Sequence, residues 1–526
     1  MKHVSTAMSK TYSGIALLVS LLTSSAAVGQ YATDALRYSE INQTGTARFQ
    51  ALGGNHASIG GDASSIYGNP AGLGFYNRSE LTLSPAVTIA GTSAAYLGNT
   101  EKQNSSLFNI PQASVVFASQ PGFQRKWKRS SFGVSFSRQQ SFQNGYRYGG
   151  RNNNSAYIDN VLESVNNASP PYTIKELEDG LQNNPGGNPV ASSIPVAYYQ
   201  MYLINPTSAS GPPFAAIDGQ SVVDQSGDFT STGATSQWTF AYAGNLNDKF
   251  YLGGNVGFSR IKYDYSSRFS DDYINSPSLT YIDQFEDFTV RGTGFNASLG
   301  AIYKFNPMFQ IGGTLISPTF SASKETYSQS VAAGFVGGKV KDADGNLITP
   351  PYTSLPISPN DFEYNLVGPM RGNLGGTVFF QNKGFLTATI EYIGYSGMRA
   401  RTSFLDATGN QDFKDNTKAE IQDTFRNTVN FRLGGEIRAK IFRARIGGAY
   451  ISDPYLERTD GIDRSKLLFS AGVGMRSDRF FVDLTGTFTT YKSAYTPYYL
   501  KNPNNYASVE ITNKPINVML TAGVFF

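Results

Sequence analysis

Counting back from Phe526 in steps of two, Val524, Ala522, Leu520, Val518 and Ile516 form an unbroken apolar set. The other parity, Gly523, Thr521 and Asn517, is small or polar. Successive side chains of a strand point to opposite faces, so this period predicts a strand with one oily face and one wet face. The same period recurs in segments 81–89, 113–117, 132–136, 238–242, 250–258, 295–305, 309–315, 374–380, 386–392, 429–437, 444–450, 469–475, 480–488 and 516–526. These make fourteen strands, an even number. Their connections fall into two classes. Tight turns at 245–249, 306–307, 381–384, near Lys440 and at 477–479 alternate with much longer stretches, notably 149–230 and 326–360. One tight rim and one elaborate rim are what an antiparallel transmembrane β-barrel requires. A soluble multi-sheet protein has no reason to sort its connections this way. The expectation is an all-β chain whose strands, residues 80–526, close into one cylinder.

If the apolar parity faces lipid, the other parity faces the lumen. That places Glu391, Arg432, Glu436, Arg443, Arg445 and Asp483 inside. A charge on the lipid face at mid-bilayer costs about 2–4 kcal/mol, so the inward placement wins. Two uses of these residues are open. They can brace the wall as a lattice of paired charges, or Arg432, Arg443 or Arg445 can present a cation to the carboxylate of a ligand, which Arg can grip with two hydrogen bonds.

The amino-terminal stretch changes the picture of where the chain goes. Lys2, His3 and Lys10 precede an apolar run from Ile15 to Leu22 interrupted only by Ser20, and Ala27 and Gly29 stand as a small-residue cleavage pair before Gln30. Residues 1–29 therefore read as a secretory leader. No later segment has the roughly 18 consecutive apolar residues of a membrane-spanning helix. The chain has 54 Gly, 36 Phe and 32 Tyr and only 16% charged residues, a composition suited to a tightly turned barrel with aromatic girdles. Cysteine is absent, which excludes disulfides, thiolate metal sites and a cysteine nucleophile. A net charge of +4 on 526 residues gives no footprint for nucleic acid. After the leader the only histidine is His56, too little for a Ser-His-Asp triad, a zinc site or a haem-ligating pair. An enzyme is not expected, nor is any metal or cofactor.

Residues 30–79 are not strand-like. Gly45 to Gly54, Gly60-Gly61-Asp62-Ala63 and Ser64 to Leu73 are glycine-rich with scattered apolar anchors, a composition that can fold compactly in a confined space. Within them stands Asn69-Pro70-Ala71. A glycine-rich plug carrying Asn-Pro-Ala, between a leader and fourteen strands, resembles the hatch of the FadL/TodX family of outer-membrane transporters of hydrophobic compounds. The stretches Gly292-Thr293-Gly294-Phe295-Asn296-Ala297, Arg432-Leu433-Gly434-Gly435-Glu436 and the surroundings of Asp483 are also similar to that family. The final strand likewise resembles the terminal strand of bacterial outer-membrane barrels, whose last Phe, here Phe526, is read by the barrel-assembly machinery.

The resemblance implies residence in the outer membrane of a Gram-negative bacterium, among its lipid and lipopolysaccharide, as a monomer. It implies passive uptake of hydrophobic compounds typified by long-chain fatty acids, with hatch movement and sideways exit through a kink in an early strand, sought here in the third strand from Phe132 onward. Asn69, Pro70 and Ala71 carry over as the hatch motif. In the first long loop, a helix capped by Ser155 with Ile158, Val161, Leu162 and Val165 on one face, and an apolar stretch including Tyr198 and Tyr202, offer either packing over the barrel mouth or an apolar capture surface. The alternatives to uptake are a scaffold carrying cargo in protein secretion and a general porin.

Overall fold

The computed structural model describes residues 25–41, 44–119, 126–208, 211–219, 222–341, 346–458 and 460–526, with backbone only for 25–30. The expected leader lies outside the described residues up to position 24. From there a helix, α1 (Ser25–Ser39), runs without interruption across the Gly29/Gln30 junction.

The wall is a closed antiparallel barrel of fourteen strands. In chain order they are β1 (Glu80–Tyr96), β2 (Asn99–Ser119) and β3 (Trp127–Ser141, continued as Asn144–Asn152). Next come β4 (Val223–Leu246), β5 (Phe250–Tyr273), β6 (Leu279–Lys304) and β7 (Phe309–Ile316, continued as Phe320–Phe335). Then follow β8 (Ser354–Val367, continued as Met370–Phe379), β9 (Gly384–Gly394), β10 (Thr428–Ala439) and β11 (Phe442–Ile451). The last three are β12 (Lys466–Arg476), β13 (Phe480–Tyr495) and β14 (Val509–Asn513, continued as Ile516–Phe525). Neighbours in sequence pair, and β14 closes on β1 in the register Glu80↔Phe525 to Ile89↔Ile516. Phe526 completes the seam by exchanging backbone hydrogen bonds with Ser79 at 3.0 and 3.1 Å.

All fourteen expected strands are present, and the assigned faces hold. Leu83, Trp238, Leu299, Leu374, Leu433, Ile446, Val473 and Leu520 are exposed on the outer wall. Ser135, Thr239, Thr377, Thr387 and Thr485 on the other parity are buried inside. An exterior this apolar, unbroken around the cylinder, is a surface that lipid solvates and water does not.

The strands reach well beyond their lipid-facing halves, and this corrects the expected loop boundaries. β7 runs to Phe335 and β8 begins at Ser354, so the loop expected at 326–360 spans only 336–353, while the loop expected at 149–230 spans only 153–222. Those upper halves escape a period-two search for oily exteriors because their outward positions are polar. The loop between β9 and β10 carries the short strand Arg399–Arg401, paired to upper β8, and an unforeseen helix, α6 (Ala407–Thr424). In the first long loop lie α3 (Tyr157–Asn166), α4 (Ile174–Asp179) and α5 (Ile194–Gln200). Thr173 and Glu176 form the expected capping box of α4. Ser155 does not cap α3; its hydroxyl meets the Tyr498 hydroxyl at 2.8 Å, and Asp159 accepts from the Ala156 N–H instead.

Replacing Ile446, exposed at mid-height on β11, by Arg should lower the unfolding free energy in vesicles by about 2–4 kcal/mol. Unchanged urea unfolding would mean that this face is not turned to lipid.

Candidate functional site

The lower lumen is filled by residues 44–79, folded as three short helical turns that are each capped by their own sequence. Thr46 accepts from the Phe49 N–H at the start of α2 (Ala47–Ala51). Asp62 accepts from the Ser64 N–H ahead of the turn Ala63–Ile66. Asn69 accepts from the Ala71 N–H ahead of Pro70–Phe75, where Pro70 supplies the fixed φ that suits a first helical position. The Asn69 amide also donates to Ala57 O at 2.5 Å and reaches the wall carbonyls of Gly313 and Ala301 at 3.3 and 3.4 Å. Asn69, Pro70 and Ala71 are all buried. The motif therefore does two jobs: it caps a turn and ties the plug to β6 and β7.

The wall is built to receive this plug. A methyl group at Gly300 would lie 2.0 Å from Asn69 Oδ1, and one at Gly253 would lie 2.5 Å from the Pro70 carbonyl carbon. Across the barrel, Gly434 and Gly447 meet the Leu52-Gly53 backbone in the same way, at 2.4 and 2.2 Å. Glycine is required at these points because plug backbone, or at Gly300 the Asn69 side chain, comes within touching distance of the wall.

Ionic contacts complete the docking. Arg445 pairs with Glu436 at 2.7 Å and with Asp483 at 2.5 Å, and Arg438 reaches Glu436 at 2.6 Å. Arg48 of the plug lies 3.5 Å from Glu436 and 3.7 Å from Asp62. Arg432 bridges Glu391 at 3.3 Å and Gly53 O at 3.2 Å, and Arg443 stands 3.5 Å from Glu436. The arginines singled out in the sequence are thus members of a buried lattice that joins β9–β13 to the plug. Buried charges persist only when paired in this manner. His56 donates from Nδ1 to Gly54 O at 3.0 Å and packs on Phe49; burial, reinforced by Arg432, keeps its pKa below the ordinary value.

Above the plug the lumen changes character. Phe142, Ile261, Tyr263, Phe288, Val290, Phe362, Tyr364 and Leu366 point inward from β3, β5, β6 and β8 and line a chamber. Through it runs α1, burying Ala32, Ala35, Leu36 and Tyr38 against those side chains. Tyr31 sits 5.0–5.6 Å from the rings of Phe413, Phe362 and Tyr364 and donates to Glu325 at 3.0 Å. Phe413 and Ile421 of α6, with Phe425, close the chamber from above. Neither α1 nor this lining was foreseen; the signal was present in 361–366, where Phe362, Tyr364 and Leu366 alternate with Asp361, Glu363 and Asn365.

Beside this lining one ladder of the wall stops short. The β2–β3 ladder spans only 112–119 against 130–137. A bulge at Arg138/Gln140 and a break at Phe142-Gln143 then turn the upper part of β3 behind β1 and the top of β2, where Gly145 O accepts from Thr92 of β1 at 2.6 Å and Gly149 O from Asn99 of β2 at 3.1 Å. Upper β3 stays paired to β4, and β2 stays paired to β1, but residues 99–111 of β2 have no ladder on their other edge. The third strand, where the resemblance directs the search for a kink, is thus interrupted between Ser141 and Asn144. Phe142, at the break, packs on Tyr38 and Tyr263, so the gap adjoins the chamber.

Over the mouth, Ile158, Val165 and Tyr198 are fully buried with Leu279, Ile282 and Leu355 from the strand tops, and Leu162 and Tyr202 pack half-buried against them. Gln284 donates to the Tyr198 hydroxyl at 2.5 Å. These residues form the core of a lid; in this conformation they do not present an open capture surface, because the loop buries its own apolar face on the strand tops.

No family model and no curated protein matches the sequence. Among solved structures, a FadL homologue of Pseudomonas aeruginosa is similar at 14% identity with a TM-score of 0.54, covering 92% of this chain and 99% of that one. The toluene transporter TodX of Pseudomonas putida is similar at 12% identity with a TM-score of 0.51, covering 93% and 100%.

Asn69→Ala removes a cap and two wall contacts from a buried site, and should loosen the plug by about 1–3 kcal/mol. Faster amide exchange confined to residues 44–79, with β6 and β7 still protected, is the expected result; uniform protection would mean that the motif does not hold the plug. By its fold, this chain is a barrel of the FadL/TodX type, fourteen strands around an amino-terminal hatch.

Proposed function

We propose that this protein is an outer-membrane channel through which hydrophobic small molecules pass without an energy source. The observation that carries the reading is the placement of an apolar, aromatic chamber inside the barrel, above a docked plug and beside the point where the β2–β3 ladder stops. The structurally similar TodX is a toluene transporter, and the reading extends that solute class to this chain. A long-chain fatty acid gains about 0.8 kcal/mol per buried CH₂, so a chamber of this composition can draw it from water. Sideways release through the β2–β3 gap keeps those contacts until lipid replaces them. Release into water would forfeit them.

In this reading α1 and the solute compete for one space. The lid of α3 and α5 opens to admit solute, Ala32, Ala35, Leu36 and Tyr38 give way, and the displaced helix pulls on the plug held by Asn69. Residues 1–29 are then the leader removed on export, Phe526 is the mark read during assembly, and the tight rim faces the periplasm. The protein works as a monomer and needs no cofactor.

Two measurements test this. Deleting residues 30–39 should tighten binding of a fluorescent fatty acid at least fivefold, since the helix no longer occupies the chamber; weaker or equal binding would place the solute elsewhere. The chain has no cysteine, so a Gln103→Cys/Gly145→Cys pair, placed where upper β3 touches β2, can lock the two strands together through a short bifunctional thiol reagent. Bridging should slow solute uptake by reconstituted vesicles at least tenfold and leave binding unchanged, with uptake restored when the pair is left unbridged. Uptake that ignores the bridge would exclude lateral exit. Retention of a secreted protein instead of lipid would favour the scaffold reading.

A further inference from the structure

Above the greasy belt, one tier of the outer wall is built from arginines. The ladder registers set Arg138 of β3, Arg260 of β5 and Arg401 beside β8 at one height, with Ser236 between the first two and Thr293, Ala322 and Asn365 in the interval before the third. Among the described residues none of the three arginines has an ion pair, and Nη1 of Arg138 is buried without a partner. Arg260 and Arg401 are exposed. The tier above adds Lys262, Arg291 and Lys324, but these are answered by acids: Arg291 pairs with Asp264 at 2.6 Å and Lys324 with Asp361 at 3.2 Å. The tier below is aromatic. Phe258, Phe295 and Phe320 are neighbours there, the last two stacked at 5.4 Å. A shallow groove crosses the arginine tier, floored by Thr293 and Ala322 and flanked by Arg260, Arg291 and Lys324, with the single carboxylate Glu363 beside Lys324.

A cation is costly on the lipid face at mid-bilayer and nearly free at the interface, so this height permits arginines. It does not explain their gathering on one sector. On β1 the positions beyond Ile89 are Gly91 and Ser93. Unpaired like charges at one level repel unless an anion joins them, and a guanidinium grips phosphate with two parallel hydrogen bonds. Arg260 and Arg401 stand four interstrand spacings apart, roughly 19 Å at about 4.8 Å each. That span suits a headgroup bearing more than one phosphate. Aromatic side chains directly beneath suit acyl chains.

We propose that this tier binds a phosphorylated, multiply acylated glycolipid of the outer leaflet, its phosphates on Arg260 and Arg401 and its chains over Phe258, Phe295 and Phe320. The inference rests on the reading that the barrel sits in the outer membrane with its long loops outward. The Arg138 end of the tier lies where the β2–β3 ladder stops, so a lipid seated there borders the gap.

Full-length mature protein, extracted in mild detergent, delipidated and titrated with lipid A by native mass spectrometry, tests the site. Wild type should retain lipid A, and Arg260→Glu/Arg401→Glu should bind it at least tenfold more weakly. Arg260→Gln/Arg401→Gln should give a smaller loss in the same direction, and Lys418→Glu on α6 no loss. All variants should keep the heat-dependent gel migration of a folded barrel and remain in the membrane fraction, so weakened lipid binding is distinct from failure of the membrane reading, in which the wild type itself would be recovered folded in water. Equal affinity in wild type and the charge-reversed variant overturns the proposal. So does binding of phosphatidylglycerol or of dephosphorylated lipid A as tight as that of lipid A.

Discussion

The governing constraint is that a strand in lipid has no water to satisfy its backbone, so every N–H and C=O in the belt must be paired within a closed sheet. The β1–β14 register meets that demand at the seam, down to the exchange between Ser79 and Phe526. A ladder that stops is therefore expensive and has to be supported from elsewhere. The one between β2 and β3 stops where upper β3 swings behind β1, and it does so beside the chamber. A second irregularity, Ser317-Pro318-Thr319 in β7 next to Gly368-Pro369 in β8, is repaired on the spot by a 2.9 Å bond from the Gly368 N–H to Thr319 O. Proline forces that interruption, since it has no N–H to give.

A plug inside a barrel faces the opposite problem, because it must be held without being fused to the sheet. Wall glycines at Gly253, Gly434 and Gly447 let plug backbone approach, Gly300 admits the Asn69 side chain, and the Glu436-centred lattice adds directional contacts. Dispersion and hydrogen bonding over a small area give a contact that is specific but can be exchanged for others. The chamber above is held differently, by apolar contact of α1 with aromatic rings. Such contact is non-directional, so a hydrophobic solute can substitute for it.

Each long strand crosses two solvents. On β5, Leu252, Val256 and Phe258 face outward within the belt, while one turn of the pattern higher Arg260 and Lys262 take the same face and Ile261 and Tyr263 point in. β6 does the same at Phe295 and Arg291. The alternation is unchanged and its chemical sense inverts, because the exterior has passed from hydrocarbon to water and headgroups. This is why the upper parts of β7 and β8 within 326–360 read as loop in the sequence, and why the arginine tier sits at the height it does.

The sequence by itself determined the strand number, the face each residue takes in the belt, the tight turns and the plug, because period two and turn chemistry are local and lipid allows no exceptions to them. Asn69-Pro70-Ala71 was legible for a related reason: a cap and a following proline act within three residues. Which partners those residues meet was decided only by closure of the cylinder. Arg432, Arg443 and Arg445 could have served a ligand or a lattice, and the choice depended on Glu391, Glu436 and Asp483 arriving from other strands. Tyr198 could have been displayed or buried, and Leu279 and Ile282 settled it. The chamber, the gap beside Phe142 and the arginine tier all arise from contacts between residues far apart in the chain, which no local pattern encodes.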